Sequence, residues 1–99
     1  MNLKAVTTCL GYQQISDLSG AVSLTVPALA PDGSNQKPTF ALIVCEGAPV
    51  RWRDDRTAPT ASAGMPLAIG VPLQYDGDLS RIRFIQQSAT AKLNISYYC

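Results

Sequence analysis

Residues 49–64 read PVRWRDDRTAPTASAG, and this stretch decides the fold class. Val50 and Trp52 alternate with two arginines, and such alternation places the two apolar side chains on one side of a β-strand. Arg51 and Arg53 should share the opposite side. The alternation stops at two adjacent aspartates, a residue type that disfavours strands and favours turns. The stretch therefore predicts a β-strand that packs on a core through Trp52 and ends in a charged turn.

The same two-residue period recurs on both sides of this stretch. It is present in residues 21–26 (AVSLTV), 81–87 (RIRFIQQ) and 92–98 (KLNISYY). No long window keeps the 3.6-residue period of an amphipathic helix. Short strands between Gly, Pro and Asp turns predict an all-β, single-domain β-sandwich, and a jelly-roll-like arrangement is one form of it.

Residues 39–45 (TFALIVC) depart from the alternation because they are apolar almost throughout. A continuous run of this kind is typical of a central strand that is covered on both faces. Gly47 follows and predicts a hairpin turn that leads directly into the Trp52 strand. We expect the buried core to include Ala41, Ile43, Trp52, Phe84 and Ile95.

Two segments are not assigned to the regular strands. Residues 1–12 are predicted to form either an extended N-terminal arm or a first strand. Residues 29–38 contain the turn-forming sequence PDGSN and a Lys-Pro pair, so they predict a long exposed loop. The length of 99 residues fits one domain over residues 1–99.

The charge content and the hydropathy of the chain indicate which classes of partner to expect. Charged residues make up 15% of the chain, against about 25% in typical proteins, which suggests that a partner covers part of the surface. The net charge of +1 argues against nucleic-acid binding, because that binding needs a basic excess to neutralise phosphates. No window is apolar over the roughly 18 residues that a transmembrane helix needs, so no membrane partner is expected.

The three cysteines, Cys9, Cys45 and Cys99, are widely spaced and odd in number. This spacing matches neither a disulfide framework nor a zinc site. They are predicted to be buried or inert thiols in a reducing compartment. A Cys9–Cys99 bridge and an intermolecular bond through Cys99 are the two alternatives.

The sequence offers little for catalysis. It contains no histidine, which removes the commonest general base and a common metal ligand. Adjacent residues on a strand face opposite ways, so Asp54 and Asp55 make a poor acid–base pair. Asp76 and Asp78 could supply oxygens to a calcium ion, but the remaining ligand spacing is absent. We predict no enzymatic activity, no metal site and no cofactor.

The predicted functional site is a protein-binding surface made of Arg51, Arg53, Asp54, Asp55, Arg56 and Tyr98. Arginine pairs with carboxylates through two parallel hydrogen bonds, so such a charged patch can fix the register of a protein–protein contact. The alternative is an internal network that braces the turn, with Arg83, Asp76 or Asp78 as cross-strand partners. Tyr98 is included because alternation turns it outward, away from Tyr97. Trp52 points away from the arginines and is interpreted as a core residue rather than an interface anchor or a sugar platform.

Several segments together resemble a group of small proteins encoded among the virion genes of tailed bacteriophages. The resemblance rests on residues 22–27 (VSLTVP), 40–43 (FALI), 50–67 (VRWRDDRTAPTASAGMPL), 75–79 (YDGDL), 82–85 (IRFI) and 92–97 (KLNISY). Arg56 departs from the pattern, which has glycine at this position, and the loop of residues 29–37 is longer than the pattern has it.

The resemblance implies a structural role in the virion, after assembly in the host cytoplasm. The first function that it implies is a capsid cement or decoration protein, which would bind the major capsid protein or other virion proteins and form a homo-oligomer on the particle. The alternatives are a tail, fibre or head–tail component, and a carbohydrate-binding adsorption module that uses Trp52 and an outward tyrosine.

Overall fold

The computed structural model of the protein describes residues 8–27 and 37–99. Within these residues lie eight β-strands and no helix. The strands are β1 (Cys9–Ile15), β2 (Val22–Ser23), β3 (Phe40–Glu46), β4 (Val50–Arg53), β5 (Met65–Leu67), β6 (Leu73–Tyr75), β7 (Arg83–Gln86) and β8 (Lys92–Tyr98). The predicted loop of residues 29–38 lies outside the described residues, apart from its last two.

The strands form two four-stranded antiparallel sheets. Sheet 1 has the order β1-β8-β3-β6 and sheet 2 has the order β2-β7-β4-β5. The first strand pairs with the last, the second with the second last, and so on inward to β4 and β5. Such pairing corresponds to one long antiparallel ribbon rolled into two packed sheets, which is a jelly roll. The predicted all-β sandwich is confirmed, in its jelly-roll form.

The core lies between the two sheets and follows the alternation of the strands. Sheet 1 contributes Ala41, Ile43, Cys45, Leu93, Ile95 and Tyr97, and sheet 2 contributes Val50, Leu67 and Phe84. Four of the five predicted core residues are fully buried. Trp52 is the exception, since it is half-buried and packs edge-on against the ring of Tyr75, with 5.9 Å between ring centroids.

β3 differs from the prediction in two ways. It is a central strand, but only the face with Ala41, Ile43 and Cys45 is covered, while Leu42 on the opposite face remains 36% exposed. The predicted hairpin to β4 is also wrong, because β3 and β4 belong to different sheets. Gly47 makes the corner between the sheets with a positive φ of 83°. A side chain there would collide with the carbonyl oxygen of Thr90.

β1 takes the second of the two forms predicted for the start of the chain. Residues 9–12 pair with β8, whereas residues 1–7 lie outside the described part. The register shifts between Cys9 and Gly11, where the strand carries a bulge. β2 is shorter than residues 21–26, although Leu24 beyond it is still buried.

Candidate functional site

The outer face of sheet 2 carries a cluster of arginines. Arg51 and Arg53 point outward from β4, opposite the inward-facing Trp52, as the alternation predicts. Arg53 lies beside Arg83 of β7, and Arg51 lies beside Ile85. We define the arginine face as Arg51, Arg53, Arg83 and Ile85, together with Arg56 in the loop that follows β4.

Arg51 is engaged within the protein. Its Nε donates to the carbonyl oxygen of Ala61 at 3.2 Å, and its Nη1 donates to that of Gly64 at 2.8 Å. The side-chain amide of Gln87 lies at the same guanidinium group, and its oxygen, turned toward Arg51, accepts from Nε at 2.7 Å and from Nη2 at 3.1 Å. For Arg51 the contacts therefore favour the internal brace, which holds the loop of residues 54–64 against β4.

Arg53 forms a two-bond ion pair with Asp55 in the turn after β4. Nε donates to Oδ1 at 3.0 Å and Nη2 donates to Oδ2 at 2.5 Å. The hydrogen bonds from Arg53 lower the pKa of Asp55 below its ordinary value. The side chains of the pair are 32% and 54% exposed, so both charges remain accessible to a partner.

Arg56 and Asp54 occupy two special positions in the same turn. Arg56 has a positive φ of 72°, and its carbonyl oxygen accepts a hydrogen bond of 3.2 Å from Nη2 of Arg83. Asp54 accepts a hydrogen bond of 2.7 Å from the hydroxyl of Tyr75 on the other sheet. Burial, followed by this contact with Asp54, raises the pKa of Tyr75 well above its ordinary value.

A small open pocket lies where these residues meet. It has a volume of about 230 Å³ and is lined by Arg53, Asp54, Asp55, Gly64 and Met65. The side chain of Met65 is flexible, and the residue is 56% exposed. An ion pair beside an exposed methionine is suited to a protein partner, because Arg and Met are enriched in protein interfaces.

The six predicted site residues do not lie on one surface. Arg51, Arg53, Asp54, Asp55 and Arg56 cluster at the end of β4, whereas Tyr98 points outward from sheet 1, on the opposite side of the sandwich. There it stacks on Phe40, with 5.3 Å between ring centroids and 14° between ring planes. Sequence reasoning left Arg83 and Met65 out of the interface. Alternation turned Arg83 outward and Arg83 was named as a cross-strand partner of the alternative internal network, but only the β4–β7 pairing places it beside Arg53.

Asp78, one of the two aspartates that were considered as calcium ligands, acts in a turn. Oδ1 of Asp78 accepts from the backbone nitrogen of Ser80 at 2.9 Å, and Oδ2 pairs with Nε of Arg81 at 3.3 Å. Over residues 8–27 and 37–99, no three His, Cys, Asp or Glu side chains converge as a metal site would require. In the same residues there is no helix of the length and apolar character needed to cross a membrane. All three cysteines are free thiols, and Cys9 is the exposed one.

Comparison with protein-family models, with curated proteins and with solved structures gives no match for this chain. No family is therefore assigned. The resemblance to virion proteins of tailed phages stays a prediction, and what the chain does is inferred from its own residues.

Proposed function

We propose that the protein is a structural component of a tailed-phage virion, a capsid decoration protein that binds the major capsid protein or another protein of the particle. The virion role rests on the sequence resemblance, and the observation that carries the docking site is the arginine face with the pocket at its end. The residues of this site are suited to docking an acidic protein surface. A tail, fibre or head–tail location would use the same face.

The charge of the arginine face supports an acidic partner. The face brings together four arginines, Arg51, Arg53, Arg56 and Arg83. Within the described residues only Arg53 of these four forms an ion pair, and its partner is Asp55. The face is therefore basic, although the whole chain has a net charge of only +1. Guanidinium groups bind carboxylates with directional geometry, and complementary charge fixes the register of a docked partner.

The jelly-roll fold is compatible with this role but does not decide it. Jelly rolls occur in viral capsid proteins and also in lectins and cupins, so the fold alone assigns no function. For a carbohydrate-binding module, the first residue considered was Trp52. The inward, half-buried position of its ring against Tyr75 disfavours its use as a platform for a sugar.

The test measures the binding of variants to purified particles that lack the protein. Arg53→Ala and Arg83→Ala should each weaken binding by about tenfold while the melting temperature changes little, because both side chains are partly exposed and their hydrogen bonds, to Asp55 and to the carbonyl oxygen of Arg56, lie in an exposed turn. Arg81→Ala is the matched control, since Arg81 also pairs with an aspartate at the surface but lies in the turn before β7. Binding should also weaken as salt is raised.

Two results would overturn the proposal. Full occupancy by both variants would exclude the arginine face as the docking surface. Failure of the wild-type protein to bind heads or tails at any salt concentration would exclude the virion role. Arg51→Ala is not suitable for this test, because the loss of its contacts with Ala61 and Gly64 should lower the stability of the protein itself.

A further inference from the structure

The outer face of sheet 1 is almost uncharged. Apart from Cys9 at one end and Lys92 and Glu46 at the other, its outward residues are Tyr12 and Gln14 on β1, Asn94, Ser96 and Tyr98 on β8, Phe40, Leu42 and Val44 on β3, and Gln74 on β6. We call these nine residues the uncharged face. It lies on the opposite side of the sandwich from the arginine face.

The uncharged face has the composition of a surface that becomes covered. β3 is apolar on both of its sides, a pattern typical of strands buried on both faces. One side of β3 fills the core, while the other leaves Leu42 at 36% exposure. Tyr12, on the same face, is 64% exposed. Leu42 and Tyr12 lie on either side of Ser96 in the register, and exposed apolar and aromatic side chains grouped in this way on a small protein indicate an interaction surface.

The polar side chains of this face are held in place by one another. The hydroxyl of Tyr12 donates to Oδ1 of Asn94 at 2.5 Å, and Nε2 of Gln14 donates to the same oxygen at 2.9 Å. Nδ2 of Asn94 donates in turn to Oε1 of Glu46 at 2.9 Å. The network crosses three strands, so the face is pre-organised and loses little side-chain entropy when it binds.

The charged residues at the end of this face are self-complementary. Lys92 on β8 and Glu46 on β3 are directly opposite each other in the register. The midline of sheet 1 runs between these same two strands. A 180° rotation about an axis along that midline, in the plane of contact, places β8 of one copy over β3 of the other. Lys92 of each copy then faces Glu46 of the other, and Tyr98 faces Phe40.

We propose that the uncharged face binds a second copy of this chain, sheet against sheet, about this two-fold axis. A two-fold contact requires a surface that is complementary to itself, and the Lys92–Glu46 row satisfies this requirement twice. Packed sheets keep their strands within about 30° of one another, which brings the rows of side chains into contact. This pairing does not depend on the virion role, because it uses the other side of the molecule.

The area of the uncharged face determines how tightly the proposed dimer should bind. Three seven-residue strands at spacings of about 4.8 Å, rising about 3.4 Å per residue, give a face of about 10 by 20 Å between strand axes, to which the three-residue β6 adds a short fourth row. With side chains at the margins it buries roughly 400–500 Å² per copy, compared with about 800 Å² in a standard interface. The dimer should therefore be weak, with a dissociation constant in the range of about 10–500 µM.

The first experiment is sedimentation equilibrium of the purified protein over that concentration range. Leu42→Glu places a charge at the centre of the contact and should weaken self-association by roughly a hundredfold. Ile85→Glu is the matched control, because Ile85 is also an outward apolar residue of a central strand, but on the arginine face. The control variant should associate like the wild type.

Charge reversal tests the register of the contact. Lys92→Glu and Glu46→Lys should each weaken the dimer by about tenfold, since each places two pairs of like charges in contact. The double variant should recover the wild-type dissociation constant. Circular dichroism of each variant checks that the fold is kept. If the two ions pair only within one chain, the single variants will keep the wild-type dissociation constant, which would overturn the register.

Two further outcomes would overturn the pairing itself. One is a wild-type protein that stays monomeric to millimolar concentration, and the other is a Leu42→Glu variant that still dimerises. A monomer that binds a soluble oligosaccharide, and loses that binding in Tyr12→Ala, would show that the face takes sugar instead.

Discussion

The hydroxyl of Tyr75 donates a hydrogen bond of 2.7 Å to Oδ2 of Asp54, and this bond joins the edge strand of sheet 1 to the end of β4 in sheet 2. Tyr75 is only 7% exposed, whereas Asp54 lies at the surface. The contact fixes the start of the charged turn, and thereby the pocket beside Met65.

Tyr75→Phe should lower the free energy of unfolding by about 1–2 kcal/mol, because it removes one hydrogen bond to a carboxylate and leaves the ring in place. Urea denaturation measures the change. Tyr12→Phe is the control, since it deletes a hydroxyl bonded to Asn94 on an exposed ring, and it should cost less than about 0.5 kcal/mol. Equal losses of unfolding free energy in the two variants would show that the hydrogen bond to Asp54 stabilises the protein no more than a surface hydrogen bond does.

Arg56→Gly should stabilise the protein by up to about 1 kcal/mol. A non-glycine residue at φ 72° carries a backbone cost of about 1–2 kcal/mol, which exceeds the entropy that glycine adds to the unfolded chain. The hydrogen bond from Arg83 is kept, because it goes to the carbonyl oxygen of residue 56. Thermal melting measures the effect.

Arg56→Ala separates the backbone from the charge. It removes the same guanidinium group but keeps the unfavourable φ, so its stability should stay close to that of the wild type. A gain of equal size in both variants would attribute the effect to the relief of charge repulsion within the arginine face.

Gly47 and Gly70 provide a matched pair for the corner between the sheets. Both have a positive φ, 83° and 76°, but a side chain at Gly47 would collide with the backbone of Thr90, while nothing lies within 4 Å at Gly70. Gly70→Ala should cost about 1 kcal/mol for the backbone conformation alone. Gly47→Ala should cost at least about 3 kcal/mol, since backbone atoms cannot yield as a flexible side chain can. Similar losses in urea denaturation would contradict the close contact.

Stability should fall in alkaline solution. Burial raises the pKa of Tyr97 to about 12, and the pKa of Tyr75 is raised as well, whereas an unfolded tyrosine titrates near pH 10. Between about pH 10 and 12 the unfolded chain loses these protons and the folded chain keeps them, so the equilibrium shifts toward unfolding. The stabilising effect is complete below about pH 10.

The urea midpoint, measured from about pH 8 to 11.5, checks this expectation. A Tyr75→Phe/Tyr97→Phe double variant should have a lower midpoint at neutral pH but a flatter alkaline decline. A decline of the same slope in the double variant would place the cause in other groups.

Local alternation was sufficient to predict which side chains of a strand face inward. In β8 it separates Leu93, Ile95 and Tyr97 from the outward residues, and in β7 it buries Phe84. The two-residue period predicts burial correctly because one face of each sheet packs against the core and the other does not. The all-β class followed directly.

What the sequence could not provide was the pairing of the strands. A glycine after a strand fits a hairpin and a corner equally well, so the sheet change at Gly47 was missed. Leu18 is fully buried in the connection between β1 and β2, where no period marks it. The acceptors of Arg51 are mainly backbone carbonyls, which have no signature in the sequence. The positive φ of Arg56 was not predicted either, because arginine gives no local signal for that conformation.

The nested pairing of the strands has a consequence for biosynthesis. β4 and β5 are separated by one loop and can join early, whereas β1 and β8 bring together residues such as Tyr12 and Asn94, which are 82 positions apart. Closing such a long loop is slow because chain entropy must be lost before the contacts repay it. During synthesis on the ribosome, β1 has no partner strand until β8 has emerged. Of the eight described strands, β1 is therefore synthesised first but is among the last to pair.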